Sequence, residues 1–109
     1  MAYAEKLAAR VRKALAGHKG LSEKRMFGGM AFMLRGKMCC GVLNDDLVVR
    51  VGPERYERAL SRAHVRPMDF TGRPLKGYVF VGPEGLKTKS ILSKWVGEAI
   101  DLVSSLPGK

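Results

Sequence analysis

Few side chains in this chain are equipped for chemistry. The two cysteines, Cys39 and Cys40, are adjacent, the histidines are His18 and His64, and Asp45-Asp46 is the one acidic pair. Neighbouring residues of a strand point to opposite faces, so Cys39 and Cys40 cannot bridge to one another without severe distortion, and no third cysteine exists. A zinc site needs further ligands, and neither histidine stands in a C-x-x-C or H-x3-H type spacing. The cysteines are therefore read as buried, reduced thiols, with oxidative dimerisation through an exposed thiol as the alternative.

The remaining candidates give equally little chemistry. Asp45-Asp46 falls at a hairpin turn, where Asp is selected for its backbone preferences. His64, beside the end of a short helix, reads as a solvated or capping residue rather than a general base. Gly28-Gly29 precedes a strand segment, whereas a phosphate-cradling glycine loop must lead directly into a helix N-terminus. A glycine pair in that setting marks a bulge, a bend or the close approach of another backbone, with a ligand-facing loop as the lesser alternative. The reading is of a non-enzymatic protein: no catalytic residues, no metal and no cofactor.

The elements that carry these residues follow from periodicity. Residues 3–16 repeat Tyr3, Leu7, Val11 and Leu15 at helical spacing, with Lys6, Arg10 and Lys13 together on the side away from that stripe. Alternation then takes over: Met30, Phe32 and Leu34 point one way, Ala31 and Met33 the other. Arg35-Gly36 reverses the chain, residues 37–43 return, Asn44-Asp45 turns again, and residues 46–51 place Leu47, Val49 and Val51 on one face. "GPERYERALSRA" reads as a short helix burying Tyr56, Ala59, Leu60 and Ala63, with Pro53 and Glu54 in its first turn. Strands are expected at 65–70 and 77–81 with the turn "TGRP" between them, the first at an edge because of Pro67. A last helix over about 88–105 spaces Ile91, Trp95, Ala99 and Val103 by four. The fold class is α+β, two layers with an antiparallel sheet, in the order α-β-β-β-α-β-β-α.

The 109 residues make one domain, without linker, repeat or low-complexity tract. No apolar run approaches the ~20 residues needed to span a bilayer, and the N-terminal stretch lacks the apolar core of a signal peptide, so a cytoplasmic protein without a membrane role is expected. A net charge of +10 favours anionic partners, and half of it lies in the first quarter of the chain.

"EKRMFGGMAFMLRGKMCCGVLNDDLVVRVGPERY" (residues 23–56), "PMDFTGRPLKGYVFV" and the helix containing Trp95 resemble the N-terminal domain of the TfoX/Sxy competence-regulator family. The Met-Phe-Gly-Gly run, followed by an apolar strand, a glycine turn and a returning strand, is its most specific part. The resemblance implies a two-layer α/β fold similar to secretion-chaperone-like domains. It also implies a role in transcriptional control of DNA-uptake genes together with a cyclic-AMP receptor protein. The family motif contains no catalytic residues. The longer regulators carry a second, C-terminal helical domain, whereas this sequence ends at Lys109.

Two functions of different class follow. The first is a regulatory or adaptor module that contacts another protein or a second copy of itself through the sheet. Cys39, Leu43, Ala31, Met33 and Val48 are apolar on the face opposite Met38, Cys40 and Val42, so both faces ask for cover. Helices or terminal segments wrapping both faces are the alternative. The second is direct, non-specific nucleic-acid binding through Lys6, Arg10, Arg12, Lys13, Lys19, Lys24 and Arg25. Against it stand the 7% aromatic content and the lack of a base-stacking motif.

Overall fold

The alternation of apolar residues becomes a six-stranded antiparallel sheet in the computed structural model, which describes residues 4–26, 28–68 and 77–106. In chain order the elements are α1 (Glu5–Leu15), β1 (Leu21–Met26), β2 (Gly29–Leu34), β3 (Lys37–Leu43), β4 (Asp46–Arg50), α2 (Tyr56–Leu60), β5 (Val65–Pro67), β6 (Tyr78–Val81) and α3 (Lys89–Ser105). The strands lie in the order β1-β2-β3-β4-β6-β5. The α+β class holds, with one strand more than the sequence pattern suggests. That strand is β1, whose residues Ser22, Glu23, Lys24 and Arg25 are all exposed, so it carries no apolar alternation to read.

Turn chemistry sets the register. Arg35 and Gly36 both have positive φ, 53° and 80°, and they join Leu34 to its partner Lys37 in the two-residue loop that suits the twist of a hairpin. Asn44 (φ 54°) performs the same service before β4. β5 ends at Pro67, so the expected strand over 65–70 is confirmed only in its first half. Residues 69–70, the "TGRP" turn, Tyr3 and Phe27 lie outside the described residues.

All three helices bury their apolar sides on one face of the sheet. Leu7, Val11 and Leu15 of α1, Tyr56 and Ala59 of α2, and Leu92, Trp95, Val96, Ala99 and Val103 of α3 pack with Phe32, Leu34, Val42, Leu47, Val49, Val79 and Val81. Ile91, expected on the buried stripe of α3, is instead the exposed large hydrophobic residue of that helix, at 40%. Leu92 takes the core position because the helix starts at Lys89, capped by the Thr88 hydroxyl accepting from the Ile91 N–H at 3.1 Å, and leaves its first turn at the rim. Arg62 lies 3.9 Å over the Trp95 ring and holds Glu98 at 2.8 Å, closing the wet side of the core.

Candidate interaction surfaces

The motif around the glycines and cysteines is structural in its geometry. Gly28, at φ 78°, lies in the tight link between β1 and β2, where Met26 pairs with Gly29. A Cβ at Gly29 would collide with the Val42 carbonyl oxygen, and one at Gly41 would lie 2.9 Å from the Met30 carbonyl oxygen. Both glycines permit the close approach of β2 and β3, and neither precedes a helix.

The cysteines are placed differently from the strand expectation. Phe32 pairs with Cys40 and Met33 with Met38, so β3 holds one extra residue, Cys39, in a bulge. Alternation is interrupted there. Cys39 and Cys40 both join the helix-side core, while Met38 moves to the opposite side, against Val48, Met68 and Phe80. Both thiols are free and fully buried. The Cys40 thiol is pushed well above the ordinary thiol range by its hydrogen bond with Cys39 and by burial.

Both histidines serve the backbone. His18 places its Nδ1 3.0 Å from the Leu15 carbonyl at the end of α1. His64 has φ 67°, and its carbonyl accepts from the Gly82 N–H at 2.9 Å. Asp46 pairs with Arg66 at 2.8 Å. Among the described residues no three of His, Cys, Asp and Glu gather as a metal would require.

The seven basic residues do not form one stripe. Arg10 donates to the carbonyls of Leu86 (2.7 Å) and Thr88 (3.4 Å), tying α1 to the start of α3. Arg12, on the other flank of α1, forms a two-pronged pair with Glu23 of β1 at 2.6 and 2.9 Å and lies 5.9 Å over the Phe32 ring. That guanidinium holds the Glu23 carboxyl below the usual carboxylate range. Lys24, opposite Ala31, and Arg25, opposite Met30, project from opposite faces of the edge strand. Lys19 is exposed in the turn after α1. Helical geometry thus leaves Lys6, Arg10 and Lys13 together on the flank turned to α3. Lys89 and Ser93 of α3 join Arg10 and Lys13 there, around a groove of about 400 Å³. A spacing argument confined to the N-terminal segment had no means of bringing in Lys89.

The second surface is the other side of the sheet. Among the described residues its buried cluster, Val48, Met68 and Phe80, contains no helix residue. Met38, Leu43 and Tyr78 are half-buried around it, and Met33 is half-buried beside them on β2. Arg50 lies 5.5 Å over the Tyr78 ring and Arg66 5.2 Å over Phe80, so arginine side chains cover the rings. Sequence alternation placed Met33, Leu43 and Val48 on this face but put Cys39 there in place of Met38, and it did not find the arginines, whose stacking depends on the β4-β6-β5 strand order.

A six-stranded antiparallel sheet with helices on one face and a methionine- and arginine-dressed opposite face defines a two-layer α+β domain. The chain matches the TfoX N-terminal domain family over residues 13–102 and belongs to it. No curated protein and no solved structure matches the chain. Among the described residues no helix is long and apolar enough to cross a membrane.

Proposed function

We propose that this chain is a non-enzymatic, cytoplasmic regulatory module that works by binding another protein through the helix-free face of its sheet. Membership of the TfoX N-terminal domain family supports a regulatory role, related to competence. The observation that carries the contact reading is the make-up of that face. Met33, Met38, Leu43 and Tyr78 stay half-exposed while, among the described residues, no helix residue enters the cluster beneath them. Met, Tyr and Arg are the residue types enriched in protein interfaces, and methionine side chains adapt readily to a partner's shape. A second copy of the chain is one such partner.

Direct nucleic-acid binding has less support. Its seven residues are divided between two flanks of α1, a turn and both faces of β1, and Arg12 is engaged with Glu23.

Affinity capture from nuclease-treated extract of the native host tests the reading, with the wild type beside Met38→Glu, and light scattering of the pure protein reports self-association. A stoichiometric protein partner, or a dimer, that disappears with Met38→Glu supports it. A protein that stays monomeric at high concentration and retains partners only when nucleic acid is left intact overturns it.

A further inference from the structure

β1 is a terminal strand of the sheet, and among the described residues its one neighbouring strand is β2. The Arg35 N–H donates to the Gly20 carbonyl at 2.8 Å, and the same register continues from Leu21 opposite Leu34 to Met26 opposite Gly29. Bonded positions alternate in an antiparallel pair. Residues 20, 22, 24 and 26 therefore turn their backbone groups to β2, while Leu21, Glu23 and Arg25 turn theirs outward, at a repeat of about 6.8 Å. The opposite edge offers less: β5 has three residues and ends in Pro67, whereas β1 has six and no proline.

The side chains set the charge of this edge. Glu23, the one carboxylate of β1, is bonded by Arg12 at 2.6 and 2.9 Å, which fastens the strand to α1 before any partner arrives. Lys24 and Arg25 are exposed, adjacent cations on opposite faces.

The geometry points to β1 as the docking edge for an extended acidic segment of a partner protein, added as a seventh strand. A row of outward N–H and C=O groups is matched by another strand; a helix has its backbone groups bonded internally, and a nucleic acid has no such row. Lys24 and Arg25 call for two consecutive carboxylates opposite them, one on each face. A second copy is disfavoured: pairing two β1 strands about Glu23, Lys24 or Arg25 sets like charges opposite one another, in chains of net charge +10. The edge lies apart from the helix-free face, so the inference does not rest on that reading.

The test uses the full chain and a short fluorescent peptide of valines and threonines with two adjacent glutamates at its centre, read by anisotropy. Beside it run the same peptide N-methylated through its central residues, which keeps the charge and removes the backbone donors, and a version with lysines for glutamates. The parent peptide should bind about tenfold or more tighter than either. Glu23→Pro removes an outward N–H without removing a bond to β2 and should weaken binding about tenfold; Glu23→Ala loses the same carboxylate, keeps the N–H and should not. Lys24→Glu combined with Arg25→Glu should also weaken it about tenfold, with unchanged circular dichroism because both side chains are exposed. Equal binding of the N-methylated or lysine peptide, equal binding by Glu23→Pro and Glu23→Ala, indifference to the charge reversal, no peptide binding, or a dimer of the chain that Glu23→Pro dissolves would each overturn the proposal.

Discussion

Replacing Gly29 by alanine tests whether the Met-Phe-Gly-Gly run exists to bring two backbones together. The new Cβ would overlap the Val42 carbonyl oxygen and lie 3.2 Å from Leu43 Cδ1 and 3.3 Å from Leu43 Cα. The obstacle is largely backbone, which cannot swing aside as a side chain can, so β2 and β3 must separate at their first pairs. Overpacking of this kind costs about 1–3 kcal/mol, and a ladder hydrogen bond lost in the separation adds about 0.5–1.5 kcal/mol. The sum, about 1.5–4.5 kcal/mol, is a large part of the 5–15 kcal/mol that stabilises a typical domain. In a domain of this size it lowers Tm by roughly 6–20 °C. Gly97→Ala is the matched control: it lies inside α3 with nothing within 4 Å of its would-be Cβ, and it should stabilise by about 0.5–1 kcal/mol. Urea unfolding and calorimetry of the two variants read the effect. A Gly29→Ala protein as stable as wild type, within about 0.5 kcal/mol, would refute the close-approach reading.

Arg62→Ala should remove the cover from the one tryptophan, Trp95, shifting its emission to the red and costing about 1 kcal/mol; unchanged emission would contradict the stacking. Glu23→Gln should cost about 0.2–1 kcal/mol at neutral pH. Because the folded Glu23 is held below its unfolded pKa of ~4.3, the stabilisation is present above that pH and fades as pH falls through the folded value. The two proteins should therefore converge in acid, as urea midpoints taken across pH will show. Cys39 and Cys40 should resist a thiol reagent in the native state and react together on unfolding; prompt labelling of either one would contradict their burial.

How much the sequence disclosed depends on whether a residue's partner is near in the chain. The α1 stripe of Leu7, Val11 and Leu15, the Arg35-Gly36 reversal and the β4 positions Leu47, Val49 and Val51 are local patterns, and each lies where periodicity placed it. β1 was hidden because an edge strand bearing Ser22, Glu23, Lys24 and Arg25 has the composition of a loop. The Cys39 bulge was equally invisible: one additional residue in β3 exchanges the faces of Met38 and Cys39, and no propensity marks it. Among the candidate site residues, Lys6, Arg10 and Lys13 were grouped by helical spacing alone. Separating Arg12 from them required Glu23, and completing the groove required Lys89, from the far end of the chain.

The methionine methyl groups offer the most direct test of function through surface contact. With the methionines carbon-13 labelled, the methyl resonances of Met33 and Met38 report from the helix-free face, and Met30, packed against the helix-side core, serves as the internal reference. On addition of nuclease-treated host extract, the Met33 and Met38 signals should shift or broaden while Met30 holds its position. Unperturbed Met33 and Met38 signals, or changes that appear only when the nuclease is omitted, would contradict the account.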